Sequence, residues 1–392
     1  MGIETGSLLA ELASHFAARN EAWTAAQVAL CQVPAPAYAE GPRGSALLAL
    51  FESVGLQALG VTPAGNVCGR LGAGGPGPRL AVAAHLDTVF GPEVDVTVRR
   101  DGAILRAPGI GDDVSGLVML PALAEALAAA GVTLPGELWL VGTVGEESLG
   151  NLRGARELAD EGLAGRPLDA FITLDSATPG QVIRHGTHSH NHDLRLAGPG
   201  GHAWGEFGVV NPNLALAQIV ARVAEYRLPL SPRTTLNCGI LNGGFAPNAI
   251  PEQAHGHLNL RSESGEELAR LDAWARQAIS ETVAQANGRR RLGPELSLEH
   301  TVAGRQGGET PADSPLVRGA VAAVRRQGWP VSHPYSSTDA NAFMAQGIDG
   351  VCLYRGEGAG EHTPEEWYDT STRPAALEAL AETVLRYFQA VA

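Results

Sequence analysis

Residues 80–87 read LAVAAHLD, a short apolar run that ends in a histidine and an aspartate. The run predicts a buried strand, and two more strand-like segments follow at 137–143 and 170–174. Helix-like segments at 116–130 and 152–161 lie between them. Strands that alternate with helices are typical of a mixed, mostly parallel sheet flanked by helices, so we predict an α/β fold.

The pattern changes between residues 187 and 302, where a strand, a helix, two strands and a second helix follow one another. This order indicates a small α+β domain of ferredoxin-like type. The first pattern then resumes, with a buried strand at 350–354 and a closing helix at 374–391. We therefore interpret residues 187–302 as a domain inserted into a larger one that consists of residues 1–186 and 303–392.

The composition is that of a folded, acidic protein. Hydrophobic residues make up 44% of the 392 residues, and 28 basic residues against 42 acidic ones give a net charge of −14. We expect no nucleic-acid partner, because an acidic surface repels phosphate. The cysteines form no CxxC pair, no apolar run reaches the roughly 20 residues of a membrane span, and residues 8–16 lack the features of a signal peptide. These features favour a cytoplasmic protein without membrane contact.

Polar residues follow each predicted parallel strand directly: His85 and Asp87, Glu146 and Glu147, and Asp175. In sheets of this kind ligands bind beyond the carboxyl ends of the strands. His85 and Asp87 are two residues apart in an extended chain, so the Asp87 carboxylate can accept a hydrogen bond from the far nitrogen of His85. Metal-binding histidines are commonly oriented in this way.

The adjacent carboxylates Glu146 and Glu147 repel each other unless a cation or a proton compensates. A metal site gives them different tasks, since one can bind the metal while the other takes a proton from water. Asp112, Asp113 and His362 add further ligand types. Taken singly, each of these residues also fits a helix cap, a solvated loop or an ordinary strand end. Together they predict a dinuclear site whose nitrogen and oxygen ligands favour zinc, with cobalt or manganese as alternatives.

A series of motifs resembles, in chain order, those of the M20 family of dinuclear metallopeptidases and amidohydrolases. They are HLDT (85–88), GDD (111–113), GEE (145–147), Asp175, GH (201–202) and EHT (361–363). The resemblance covers nearly the whole chain, and residues 337–343 and 362–367 are most similar to the peptidase T-like branch. It implies an α/β fold of the zinc exopeptidase type, with a catalytic domain of residues 1–186 and 303–392 and a lid, or dimerisation, domain at 187–302.

The resemblance also implies a set of metal ligands. Asp112 would bridge two divalent metal ions. His85 and Asp175 would bind one of these ions, and Glu147 and His362 would bind the other.

Further roles follow from the same resemblance. Glu146 would be the general base, Asp87 would support catalysis beside His85, and the peptide bond between Asp112 and Asp113 would be cis. His202 in the inserted domain would stabilise the tetrahedral intermediate, in some members from the partner subunit.

Substrate binding is implied for three more residues. Asn248 and Arg261 match a motif that holds the substrate, commonly through its carboxylate, for which a planar guanidinium is well suited. Thr338 lies in a second matching segment. The chain departs from the family pattern at Val114, where a lysine is usual, and at residues 336–337, where serines replace glycines.

We therefore expect a metal-dependent hydrolase that removes an end residue from short peptides, as di- and tripeptidases do. One alternative is removal of the acyl group from an N-acyl amino acid, because both substrates place a free carboxylate near an amide. A second alternative is a catalytically silent relative that only binds metal, although the set of ligands and base is complete. A homodimer through the inserted domain is expected if His202 acts across subunits.

Other histidines alternate along one predicted strand of the inserted domain. His188, His190 and His192 share a face and are suitable metal ligands. We nevertheless expect no metal there, because no carboxylate cluster accompanies them in the sequence and relatives have no metal in this domain. The same expectation applies to His255 and His257.

Overall fold

The structure is a computed structural model that describes residues 5–72, 74–147 and 150–392. Its first part contains α1 (Thr5–Cys31), α2 (Gly41–Ser53), β1 (Gln57–Val61), β2 (Val67–Leu71), β3 (Arg79–His85), β4 (Arg99–Asp101), β5 (Ile104–Arg106), α3 (Val114–Ala129), β6 (Glu137–Thr143), α4 (Arg153–Glu161), β7 (Ala170–Ser176) and β8 (His185–Gly186). The middle part contains β9 (His188–Ala197), β10 (Gly201–His202), α5 (Pro212–Val223), β11 (Thr234–Gly243), β12 (Ala249–Ile250), β13 (Gln253–Ser262), α6 (Gly265–Arg289) and β14 (Ser297–Arg305). The last part contains β15 (Gly308–Glu309), α7 (Pro315–Arg326), β16 (Tyr335–Ser336), α8 (Ala340–Met344), β17 (Asp349–Tyr354), β18 (Gly358–Ala359), β19 (Trp367–Asp369), a 3-10 turn (Thr370–Thr372) and α9 (Arg373–Val391).

The chain divides into two units. The first consists of the residues up to Gly186 and from Gly308 onward, and the second is Thr187–Gly307. The boundary expected at residue 302 lies inside β14, which continues to Arg305.

The first unit is built on a six-stranded sheet in the order β1-β2-β6-β3-β7-β17. Strands β6, β3, β7 and β17 are parallel, while β1 and β2 form an antiparallel pair at one edge. The carboxyl ends of the four parallel strands therefore meet at one edge of the sheet. This arrangement confirms the α/β prediction and the mostly parallel sheet.

Both faces of this sheet are covered by helices, which explains why the central residues of its parallel strands are mostly apolar. Leu80, Val82 and Ala84 of β3 pack into one hydrophobic cluster with residues of α1, α3 and α9. Ala81 and Ala83 point to the other face and pack into a second cluster with residues of α4 and α8. The alternation follows from the period of two residues in a strand.

The second unit is a four-stranded antiparallel sheet in the order β11-β13-β9-β14. Leu194 of β9 and Leu258 of β13 pack with residues of α5 and α6 in its own core. The chain order β9-α5-β11-β13-α6-β14 confirms the ferredoxin-like topology. Within the residues that the structure describes, no helix has the length and apolar character needed to cross a membrane.

Candidate metal centre

The ends of the parallel strands bring several polar side chains to one edge of the sheet in the first unit. His85 is the last residue of β3, Asp175 lies near the end of β7, and Glu146 and Glu147 follow β6. Arg355 follows β17 directly. His85, Glu146, Glu147 and Arg355 are buried. The fold thus collects charged groups in one place, where they require partners.

Asp112 lies between two histidines. Its Oδ1 is 3.1 Å from Nε2 of His85, and its Oδ2 is 3.3 Å from Nε2 of His362. Each histidine also faces a second carboxylate: His85 Nε2 is 4.0 Å from Oδ1 of Asp175, and His362 Nε2 is 2.8 Å from Oε1 of Glu147. The five side chains therefore form two groups that share Asp112, one oxygen for each.

The loop that carries Asp112 is held by a buried carboxylate. Glu366 accepts hydrogen bonds from the backbone amides of Gly109, Gly111 and Asp112, at 2.7, 2.8 and 2.7 Å. The peptide bond between Asp112 and Asp113 is cis, as expected. Asp113 Oδ2 accepts a hydrogen bond of 3.0 Å from the backbone amide of His85, which connects the loop to the end of β3.

The role expected for Asp87 is wrong in one respect. Nδ1 of His85 makes a 3.0 Å hydrogen bond with the backbone carbonyl of Asp87 and is 3.9 Å from Oδ1 of its carboxylate. The carboxylate accepts hydrogen bonds from the backbone amides of Glu146 and Glu147 instead, at 3.0 and 2.9 Å. Sequence spacing could not show this, because backbone amides carry no residue signature. Asp87 therefore orients both the histidine and the Glu146–Glu147 segment.

The electrostatics of the site reflect a surplus of buried negative charge. Burial, together with the charge of Asp112, raises the pKa of Asp175 to about 8. Hydrogen bonds with Asp112 and Glu147 raise the pKa of His362 to about 10. In both cases the neighbouring carboxylates favour the protonated form of the group. The same negative charge would favour a bound cation. The backbone of His362 is in the left-handed region, with φ 64°, which is uncommon for non-glycine residues.

The donor set fits a pair of divalent cations. Imidazole nitrogens and carboxylate oxygens are the ligands of zinc and related ions, and a carboxylate with each oxygen directed at a different histidine is suited to bridging. His85, Asp112 and Glu147 each offer a ligand atom within 4.8 Å of the others. His85 and Asp175 would hold one cation beside Oδ1 of Asp112. Glu147 and His362 would hold the other beside Oδ2.

Two residues of this site were not predicted as site residues from the sequence. Arg355 is buried, with Nη2 3.9 Å from Oδ1 of Asp112 and Nε 3.6 Å from Oδ1 of Asp113. Its guanidinium offsets part of the negative charge. Arg355 could have been predicted from the sequence, because it follows the apolar strand β17 directly, as the other polar residues of the site follow theirs. Glu366 gave no such signal, because its partners are backbone amides.

Residues expected to bind substrate lie in different places. Thr338 is buried just before α8, and its hydroxyl has no hydrogen-bond partner among the residues described. Val114 is the first residue of α3 and lies in the hydrophobic core, which explains why a lysine is absent there. Ser336 lies on β16 and pairs with Gly186.

Three more predicted residues belong to the second unit. His202 on β10 is exposed, and its Nδ1 accepts hydrogen bonds from the backbone amides of Trp204 and Gly205. The exposed Asn248 is adjacent, since its backbone carbonyl accepts a 2.9 Å hydrogen bond from the amide of Ala203. Arg261 is exposed on β13.

Comparisons with known proteins agree with this fold. The model of peptidase family M20/M25/M40 matches residues 81–389. The chain is 26% identical to the acetylornithine deacetylase of Erwinia tasmaniensis over 337 residues, or 81% of this chain and 82% of that protein. The structure resembles aminopeptidase PepT from Bacillus cereus, with a TM-score of 0.73 and 21% identity over 94% of this chain and 98% of that one. It also resembles a tripeptidase from Staphylococcus aureus, with a TM-score of 0.75 and 21% identity over 95% and 98%.

Proposed function

The chain belongs to peptidase family M20/M25/M40, and we propose that it hydrolyses an amide bond in short peptides with the help of two divalent cations, of which zinc is favoured. The observation that supports this most strongly is the position of Asp112. Its two carboxylate oxygens lie 3.1 and 3.3 Å from two different histidines. An ordinary ion pair does not require this arrangement, whereas a bridging ligand does.

The proposed reaction assigns a task to each group. When bound, the two cations would lower the pKa of a water molecule and polarise the carbonyl of the scissile amide. Glu146 would take a proton from that water as it attacks and would then pass it to the leaving amine. Asp87 would keep Glu146 in place through the hydrogen bond with its backbone amide.

The residues of the second unit keep the roles that the family resemblance implies. His202 would donate a hydrogen bond to the oxyanion that develops on the carbonyl oxygen. Asn248 and Arg261 would hold the substrate carboxylate, and Thr338 of the first unit would make a further contact with the substrate. The exposure of His202, Asn248 and Arg261 supports these roles, because a substrate can reach them.

The proposed substrate is a di- or tripeptide from which an end residue is removed. The structural similarity to proteins described as an aminopeptidase and a tripeptidase supports this choice. Deacylation of an N-acyl amino acid is the second candidate, because the chain aligns with an acetylornithine deacetylase over most of both sequences. Both reactions break a C–N bond near a free carboxylate.

We also propose that the chain forms a homodimer through the second unit. Exposed apolar side chains occur there on α5, on β11 and in the loop after it, among them Leu214, Leu241 and Phe245. β11 is also an edge strand of its sheet. Exposed apolar groups beside an open strand edge are typical of interaction surfaces.

A library experiment tests the proposed reaction. Zinc-loaded protein is incubated with a mixture of dipeptides, tripeptides and N-acyl amino acids, and the products are identified by mass spectrometry. Glu146→Gln, which removes the proposed base with little change of shape, is compared with Glu161→Gln, the same change at an exposed position of α4. We expect the wild type and Glu161→Gln to cleave the substrate at similar rates. In Glu146→Gln the rate of cleavage should fall by at least about 100-fold.

The cleaved set decides between the candidates. Products from peptides alone support the peptidase, and products from N-acyl amino acids alone support the deacylase. If the wild type binds metal but cleaves none of these compounds, the result would contradict the proposed reaction and favour a catalytically silent relative.

A further inference from the structure

The second unit contains a group of metal-ligand side chains of its own. His190 and His192 lie on β9, and Asp272 lies on α6. These three side chains offer ligand atoms that lie within 4.8 Å of one another. The sequence does not indicate a carboxylate beside these histidines, because Asp272 is far along the chain and reaches them only through the packing of α6 on the sheet.

A single carboxylate oxygen lies close to both histidines. Oδ1 of Asp272 is 2.8 Å from Nδ1 of His190 and 2.9 Å from Nε2 of His192. His192 is completely buried, and its Nε2 makes no hydrogen bond among the residues described. The short approach to Asp272 is therefore poorly aligned for a hydrogen bond. Nε2 of His192 therefore has a charge contact with Asp272 but no well-aligned hydrogen bond, which is costly for a buried nitrogen unless another ligand satisfies it.

The outer atoms of these side chains are fixed by other residues. Nδ1 of His192 is 3.0 Å from Nε2 of His300, and Oδ2 of Asp272 accepts a 2.6 Å hydrogen bond from Nε of Arg276. With its Nδ1 bound to His300, His192 directs Nε2 toward Asp272. Supporting contacts of this kind on the far side of a ligand are typical of metal sites.

We propose that His190, His192 and Asp272 bind one zinc ion within the second unit, with a water molecule as the fourth ligand. Zinc bonds of about 2.0–2.1 Å in a tetrahedral site place ligand atoms about 3.3 Å apart. The observed contacts of 2.8 and 2.9 Å are within about half an ångström of that value. The ion would join β9 to α6, and it would enter beside His190, which is partly exposed.

The opposite face of the same sheet carries a second cluster, which we consider the weaker site. Asp193, His255 and His257 also offer ligand atoms within 4.8 Å of one another. All three are partly exposed, and Asp193 already contacts Arg195. Water can satisfy these groups, so nothing buried requires an ion there.

The test counts zinc ions on the full-length protein. Metal-free protein is dialysed against buffered zinc, and bound zinc per chain is measured by mass spectrometry of the metal. His190→Gln and Asp272→Asn each remove one ligand, while His188→Gln on the same strand and His255→Gln on the opposite face serve as controls. Circular dichroism verifies folding, and His190→Gln alone decides the result if Asp272→Asn does not fold, because His190 is partly exposed.

We expect His190→Gln and Asp272→Asn to hold one zinc ion fewer than the wild type, or to bind it at least about tenfold more weakly. Both controls should match the wild type. Equal zinc content in all proteins would overturn the proposal and leave a network of hydrogen bonds. Loss of the ion in His255→Gln but not in His190→Gln would overturn it as well, and would place the site on the opposite face.

Discussion

Asp112 is the residue on which the proposed metal centre depends, because its two oxygens face different histidines. Asp112→Asn keeps the size of the side chain but removes its charge and one of its two oxygen acceptors. Mutation of a residue that only supports a metal ligand typically lowers metal affinity 10- to 100-fold. Because Asp112 would bind both cations directly, we expect Asp112→Asn to lower cation affinity in the first unit by more than this. Zinc titration of the variant checks this, with Asp101→Asn, an exposed position on β4, as the control. Wild-type affinity in Asp112→Asn would contradict the bridging role.

Glu366 positions the loop that carries Asp112 through three backbone amides. Glu366→Gln can replace only one of its carboxylate oxygens as an acceptor, and it loses the charge that strengthens these bonds. We expect zinc affinity to fall about 10- to 100-fold, with a similar loss of kcat/KM. The matched control is Glu365→Gln, because the neighbouring Glu365 is exposed. If the two variants bind zinc equally well, Glu366 has no positioning role.

The sequence predicts which residues lie at the carboxyl ends of the strands better than it predicts how their side chains are held. His85, Glu146, Glu147 and Asp175 could be identified because they follow apolar strands whose ends must meet. The contacts of Asp87 could not be identified, since its carboxylate binds backbone amides that any sequence provides.

Strands β3 and β6 are joined at their amino ends, opposite the metal centre, by a buried ion pair. Nε of Arg79 donates a 2.7 Å hydrogen bond to Oε2 of Glu137, which also accepts one from Trp139. Burial alone would raise the pKa of Glu137, but the hydrogen bonds from Arg79 and Trp139 lower it from 4.5 to about 2. Ionised Glu137 therefore stabilises the fold above pH 4.5, and this contribution is lost as the pH falls toward 2.

We expect Glu137→Gln to lower the free energy of unfolding by about 1–3 kcal/mol at pH 7. The difference from the wild type should shrink as the pH falls below 4.5, because Glu137 then takes up a proton in the unfolded chain while it stays ionised in the folded protein down to a pKa of about 2. Urea unfolding at pH 7, 4.5 and 3 measures this, with Glu11→Gln on the exposed face of α1 as the control. A difference that stays constant over this range would show that the charge of Glu137 is unimportant.

Elements with a clear apolar period were predictable, and elements at sheet edges were not. The strand expected at 137–143 coincides with β6, because a strand buried on both faces contains a nearly continuous apolar run. β14 was missed because exposed polar residues such as Glu299 alternate along this edge strand. β1 was missed for a related reason, since this edge strand is largely exposed and carries little apolar pattern.

The topology of each unit could be anticipated because each unit follows a simple order of strands and helices. The insertion was visible as a change from alternating strands and helices to a ferredoxin-like order. Its end was harder to place, because β14 continues beyond residue 302 without an apolar signal. Association of two copies of the chain has no comparable pattern of strands and helices in the sequence from which it could be predicted.

The proposed homodimer predicts a molar mass in solution of twice the 40.7 kDa of the chain. Leu241→Asp places a charge on the open edge strand β11 and should shift the protein to the monomer. Val61→Asp, at an exposed position of β1 in the first unit, should leave the dimer intact. Light scattering after gel filtration distinguishes these states. A wild type that stays monomeric at high concentration would refute the dimer.

Anomalous X-ray scattering from crystals grown with zinc can show whether Asp112 bridges two cations. We expect two zinc peaks about 3.5–4 Å apart, one between Asp112 and His85 and the other between Asp112 and His362. A single peak at this site, or peaks that do not touch Asp112, would contradict the bridging role.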